Sequence, residues 1–376
     1  MLGIGKSYIA RVDGMSRLCA DLTVRDRRTT LWFGVDSDQE GYLALGRADP
    51  FVMALLPAAM RGGHDIVCED PMSERLHHQL TSGLIPALSF AGELYHLIKI
   101  KALLTAEPVP NQGAVGTGFS GGVDCLYTIM KHGPDSEFPL THIAVFPRRH
   151  YDKSIFLQLC RHGSGFAQES GLKQICLDSN MGQVLSEPYS EVYSYRNLAC
   201  ALALQGLFSI YLLSSGKSVP EFKFDFEHVS KYDPLNVNCA STESMTFYLS
   251  GGETIRAEKL EALADWELSW RWLHPCTNFL PGRHNCGQCE KCACDLTVLY
   301  ALGKLDRYRQ VFDVDEYLRF FPQRIGLLLS REDYQICVKA LQILKERNIE
   351  IPDYSVSFAK MVKGARKRNA AKLGNP

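Results

Sequence analysis

The feature that most narrows the fold lies in the middle of the chain. An apolar run, Gly113–Phe119, passes through Ser120-Gly121-Gly122 into a helix predicted over Val123–His132. A strand that ends in a glycine turn and opens a helix gathers unpaired N–H groups at the positive end of the helix dipole, which suits phosphate. Glycine is needed there because a β-carbon would hold the backbone off the anion and forbid left-handed dihedrals. Beyond it, Thr141–Phe146 reads as a strand, Lys153–Ser170 as a helix, Lys173–Leu177 as a strand and Asn197–Ser215 as a long buried helix. This alternation predicts an α/β fold: a parallel Rossmann-like sheet, helices on both faces, and a ligand site at the strand carboxyl ends.

The flanks differ in texture. Residues 1–105 mix β-rich runs (Tyr8–Val12, Leu31–Val35) with helical patterns at Pro50–Met60 and Pro71–Leu80, as expected of an N-terminal α+β domain. Two prolines in 106–112 mark a linker to a second domain, 113–275. A third region, 276–376, reads as helical at Thr297–Leu305, Val314–Phe321 and Arg331–Arg347. It ends in a basic tail (Lys360, Lys363, Arg366, Lys367, Arg368, Lys372) expected to be solvated and irregular. The additional helices suit a homodimer interface.

Composition removes several classes of function. The chain has 376 residues, with 41 basic against 42 acidic side chains and a net charge of −1, so it lacks the positive excess of a protein that coats nucleic acid. The longest apolar stretch, Leu198–Leu213, is interrupted at Gln205-Gly206 and is shorter than the roughly 20 residues of a membrane span. Met1-Leu-Gly-Ile-Gly-Lys6 lacks the apolar core of a secretion signal, which makes cytoplasm the expected compartment. Reducing conditions there favour metal ligands and reactive thiols over disulfides among thirteen cysteines.

The glycine loop admits two readings. Gly116, Gly118 and Gly121 satisfy the G-x-G-x-x-G spacing of dinucleotide folds, but an acid should follow about 20 residues later, and Arg148-Arg149 stand there instead. Only an NADP-dependent oxidoreductase would survive on that basis. The other reading takes Ser120-Gly-Gly-Val-Asp124, which resembles the S-G-G-x-D-S loop of PP-loop ATP pyrophosphatases, a likeness that implies a loop gripping the phosphates of ATP. The absence of Gly-Lys-Ser/Thr argues against a Walker-type NTPase.

A second motif, Cys276-x9-Cys286-x2-Cys289-x2-Cys292, has the spacing of a closed four-thiolate shell about 2.3 Å in radius, hence of a structural zinc. An iron–sulfur cluster is the rival, and nothing else in the sequence implies electron transfer. Cys294, just outside the pattern, is a spare thiol or an alternative ligand.

Together these motifs resemble the PP-loop ATP pyrophosphatases (adenine nucleotide alpha hydrolase-like, HUP type). Within them they are similar to the branch of 7-cyano-7-deazaguanine synthases, with its C-terminal four-cysteine zinc site. The resemblance spans 113–302. It includes Tyr195-Arg196-Asn197, expected to open the long helix, and Asp233-Pro-Leu followed by Ser241-Thr-Glu243, placed where family members contact the substrate. It implies that ATP is cleaved to AMP and pyrophosphate with Mg²⁺ present. Ser120, Gly121, Gly122, Val123, Asp124 and Arg196 would bind nucleotide, Asp124 would reach Mg²⁺, and Arg196 and Glu243 would contact the acceptor. Residues 1–105 have no counterpart in the minimal synthases and look more like the extension of PP-loop proteins that carry Pro-x-Ser-Glu-Arg, here Pro71–Arg75.

The family's last loop serine is Cys125 in this chain. A thiol at a helix N-terminus can have a lowered pKa and act as a nucleophile. The alternative is that cysteine merely replaces serine in shape. As in thiolating members of the superfamily, one of which forms 6-thioguanine, Cys125 would carry sulfur as a persulfide, with Cys239 as a partner thiol. The expected reaction is adenylation of a carbonyl oxygen on a purine-like acceptor. Such an oxygen leaves poorly until attack on the α-phosphate of ATP turns it into AMP. AMP is then displaced by sulfur or, as the runner-up, by nitrogen from a separate donor to give an amide or nitrile. Modification of a tRNA base is a less favoured version, and a zinc-knotted RNA-binding module using the basic tail is the non-enzymatic rival.

Overall fold

The computed structural model describes residues 1–25, 27–147, 153–276, 278, 285–331 and 334–373, with side chains described to 368. Contacts divide the chain into two compact units, one of 1–119 with 131–253 and one of 120–130 with 254–376. These units cross the ranges 1–105, 113–275 and 276–376.

The first unit contains two larger sheets. Strands β1 (Leu2–Ile4), β2 (Tyr8–Val12), β3 (Met15–Val24), β4 (Arg27–Asp36) and β5 (Ile66–Cys68) begin a mixed sheet. A short ladder pairs β6 (Met72–Ser73) with β8 (Leu104–Thr105), and β7 (Ile100–Lys101) closes the mixed sheet at one edge. The hairpin between β2 and β3 turns on Asp13-Gly14, both at positive φ, the two-residue geometry that matches strand twist.

The second large sheet is parallel throughout: β9 (Ala114–Gly118), β10 (His142–Val145), β11 (Lys173–Cys176), β13 (Phe208–Ser214) and β14 (Thr246–Ser250), in the order β11-β10-β9-β13-β14. The fold is therefore α/β, with β9 central and the strand order reversing between its neighbours β10 and β13, where such sheets place their ligands. The intervening β12 (Asp178–Ser179) pairs instead with β4 of the mixed sheet, and one hydrophobic core runs from Leu2 to Phe247.

Fifteen α-helices lie among the described residues. In the first unit α1 (Asp49–Arg61) packs on α7 (Tyr189–Ala203) and α5 (Lys153–Ser170) on β10 and β11, with α2 (Glu74–Gln79), α3 (Ile85–Ala91), α6 (Met181–Val184) and α8 (Asp233–Asn238) completing its helices. Helix α4 (Val123–Lys131), which follows the glycine loop, belongs to the second unit up to residue 130. The Pro71–Leu80 pattern begins as strand, and its helix starts after Ser73, whose hydroxyl caps Leu76 N at 2.9 Å.

The long buried helix predicted over Asn197–Ser215 is a helix followed by a strand. Helix α7 ends at Ala203 and β13 begins at Phe208, so Tyr195-Arg196-Asn197 lies inside α7 rather than at its opening. A strand buried on both faces shows no alternation, which is why the apolar run reads as one helix. The break is made by tertiary contacts: Ala44 N donates to Ala203 O and Gly206 N to Tyr42 O. A β-carbon on Gly206 would lie 2.8 Å from Gly41 O.

In the second unit α9 (Arg256–Leu263) and α10 (Glu267–Trp272) precede α11 (Glu290–Ala301), which starts well before the predicted Thr297. Then come α12 (Val314–Arg319), α13 (Phe321–Leu329), α14 (Gln335–Glu346) and α15 (Asp353–Leu373). The basic tail is thus a helix packed on α13, with Arg366 donating to Ser330 O and Glu290. No helix of the described residues is long and apolar enough to cross a membrane.

Candidate active site and metal centre

The glycine loop leaves the carboxyl end of β9 at the reversal of strand order and opens α4. Gly121 sits at φ +69°, a left-handed dihedral that a side chain would strain. The amides of Gly121 and Val123 have no acceptor among the described residues, as a helix start prepared for an anion requires. Ser120 Oγ accepts from Gly122 N at 3.3 Å.

Cys125 is buried and its sulfur points back into the loop. Sγ accepts from Ser120 N at 3.4 Å and from Ser120 Oγ at 3.5 Å, and lies 3.2 Å from Gly122 O, to which it donates. This is the place a serine hydroxyl would fill as a brace of the turn.

Asp124 is engaged at both oxygens. Oδ2 takes Arg256 Nη1 at 3.1 Å and Oδ1 takes Lys259 Nζ at 3.1 Å. Arg256 also grips Asp295 with two bonds, Nε at 3.1 Å and Nη2 at 2.8 Å. Lys259 is almost wholly buried, with its ammonium 5.9 Å from the Tyr127 ring centre. Burial disfavours charge on Asp124, but Arg256 and Lys259 outweigh it and hold its carboxyl below the usual range. At Asp295 burial wins, and the carboxyl is pushed up despite Arg256. The expected Mg²⁺ ligand is therefore part of an ion network. Arg256, Lys259 and Asp295 carry no local signal in the sequence, because the pairing joins positions far apart along the chain.

The four predicted metal ligands do converge. The sulfurs of Cys276, Cys286, Cys289 and Cys292 all lie within 4.8 Å of one another, with Cys286 and Cys292 4.0 Å apart. A tetrahedral shell of about 2.3 Å bonds spaces sulfurs by ~3.8 Å, so the group can hold a metal ion such as zinc. Backbone amides already point at the sulfurs: Cys286 N and Asn278 N at Cys276 Sγ (3.4 and 3.3 Å), Gln288 N and Cys289 N at Cys286 Sγ (3.4 and 3.2 Å). Without a cation Cys276 resists ionisation, hydrogen bonding to Cys289 pushing its thiol up to about 11, and a bound metal reverses that preference. Cys294 turns away from the group and meets Cys337 Sγ at 3.1 Å, both fully buried, which makes it no ligand of this shell.

The remaining predicted residues lie in the first unit. Arg196 is buried in α7, makes no ion pair among the described residues, and leaves Nε without a partner; its guanidinium carbon is 5.7 Å from the Tyr189 ring centre, and burial lowers its pKa. Glu243 Oε1 accepts from Arg75 N at 2.8 Å, capping α2. Cys239 is buried, its sulfur 3.4 Å from where a β-carbon on Gly83 would stand, and burial pushes its thiol up, which suits packing better than nucleophilic work. Arg148 and Arg149, on which the NADP alternative rests, lie outside the described residues.

Comparison with known proteins returns no match: no family model, no curated protein and no solved structure.

Proposed function

We propose that the chain is an adenylating enzyme of the PP-loop type. It binds ATP at Ser120–Asp124, releases pyrophosphate, and places AMP on a carbonyl oxygen of a small purine-like acceptor. The observation that carries this reading is the glycine turn, with two amides that have no acceptor among the described residues, at the end of the central strand where strand order reverses. The amides of the turn would receive the pyrophosphate, and a bound Mg²⁺ would supply charge neutralisation for the triphosphate. Asp124 shapes the turn through Arg256 and Lys259 and is left with at most a shared contact to the cation.

For the second half-reaction, the inward sulfur of Cys125 supports its role as a serine replacement. A persulfide needs an accessible sulfur, so this position favours nitrogen from an external donor over sulfur carried on Cys125.

The test is incubation with ATP, Mg²⁺, a panel of purines and deazapurines, and either ammonium or a sulfur donor, followed by mass spectrometry. AMP and pyrophosphate together with a modified acceptor are expected. Release of ADP and phosphate instead, or thermal stabilisation by NADPH and not by ATP, would sink the reading.

A further inference from the structure

Besides Lys259, which holds Asp124 from α9, two chains of contact anchor the glycine loop, and both lead to the cysteine knot. Gly121 O accepts from His274 N at 2.6 Å, and His274 is two residues before Cys276. Asp124 is held by Arg256, which is held by Asp295, three residues after Cys292 on α11. Asn285, next to Cys286, splices the arms: its Nδ2 donates to Leu273 O and Val311 O, each at 2.9 Å, and its Oδ1 accepts from Cys276 N at 3.4 Å. All of these residues belong to the compact unit of 120–130 and 254–376.

We infer that a metal ion on Cys276, Cys286, Cys289 and Cys292 fixes the conformation of the Ser120–Asp124 loop, by joining the arm that carries His274 to the helix that carries Asp295. A closed four-thiolate shell offers no open position for chemistry, and its binding free energy goes into ordering the chain around it. Inside the turn, Ser120 N and Oγ bond to the Cys125 sulfur and that sulfur donates to Gly122 O, all weak contacts, beside Gly122 N to Ser120 Oγ and the helical bond from Leu126 N to Gly122 O. The loop therefore leans on its outside anchors, and removing the ion frees both arms together. The inference rests on the four cysteines holding metal and needs no nucleotide, so it can fail while ATP binding stands, or stand while ATP binding fails.

Zinc-loaded full-length protein is compared with protein stripped by a chelator under reducing conditions, with amide hydrogen exchange read by mass spectrometry. Exchange at 120–126 rises about tenfold on stripping, α1 and α7 stay unchanged, and added zinc restores protection. Trp266, Trp270 and Trp272 lead into His274, so intrinsic fluorescence shifts in parallel. An unchanged loop overturns the inference. So does equal loosening of α9, α13 and α15, which would mean the ion merely keeps the whole unit folded. The second arm is His274→Pro, which deletes the N–H donor; Leu273 has an extended ψ of 115°, compatible with a following proline. This variant retains zinc but shows the loop exchange of stripped protein. Wild-type exchange in zinc-bearing H274P overturns the tether.

Discussion

The two compact units treat buried charge in opposite ways. Around α4 and α9, Asp124, Arg256, Lys259 and Asp295 form a closed network of two acids and two bases, each with an oppositely charged partner within 3.1 Å. In the other unit Asp49, Arg196 and Asp233 are buried more deeply than Asp124 and Arg256, and none makes an ion pair among the described residues. Asp49 relies on Ser73 N and Gln205, and Asp233 on Asn236 at 3.4 Å. A closed network holds a shape whatever binds nearby. A buried charge without a counter-ion keeps an electrostatic cost that a bound partner of opposite sign would remove.

Breaking the network has the largest expected effect. Arg256→Gln leaves Asp124 and Asp295 without their shared cation and should lower stability by about 3 kcal/mol, measured by urea unfolding. A loss under ~1 kcal/mol would show that the network contributes little beyond orientation.

Next comes pH. Burial raises Asp233 to about 7, so between the ordinary carboxylate range and that value the folded chain binds more protons than the unfolded one. Stability contributed by this group is therefore present at acid pH and is lost as pH rises, by up to ~1.4 kcal/mol per unit across that window. In thermal unfolding, Asp233→Asn should flatten the fall between roughly pH 4 and neutrality. An identical pH profile for variant and parent would mean that Asp233 is not the group responsible. Asp49, raised to about 6 chiefly by burial, acts in the same direction.

A smaller effect is expected at Arg196. Removing the charge with Arg196→Met should stabilise the ligand-free protein by about 1 kcal/mol, because a buried cation with no ion pair among the described residues disappears. The same variant should lose any stabilisation that anions give the parent. If it is less stable than the parent, Arg196 has a structural partner after all.

The smallest effect belongs to Cys125→Ser. The change should move stability by less than ~1 kcal/mol and leave product formation intact, since a hydroxyl can brace the same turn. Loss of a sulfur-containing product with AMP release retained would restore the persulfide role instead.

Much of the parallel sheet is legible in the amino-acid order. The strands at 114–118, 142–145 and 173–176 and the helices at 123–131 and 153–170 fall where apolar periodicity puts them. Strands β12 and β14 and the break between α7 and β13 are not legible. Short strands buried on both faces carry no period, and a tertiary hydrogen bond to Tyr42 O makes the break. At the site, the turn and the four sulfurs are readable from spacing. Glu243 reads as a candidate acceptor contact, yet its carboxylate caps α2, a partner no local pattern announces.

Features that depend on near neighbours are written in the order of the residues. The glycine-permitted turn between Phe119 and Val123 creates an anion cradle wherever a strand delivers it, and cysteines two residues apart bring their sulfurs together in almost any surrounding. Folding settles the features that depend on groups far apart along the chain. It commits Asp124 to Arg256 and Lys259, turns Cys294 to Cys337 rather than to the metal shell, and hangs the glycine loop from His274 beside the knot. Charge pairing and burial act through space, so no spacing in the sequence can state them in advance.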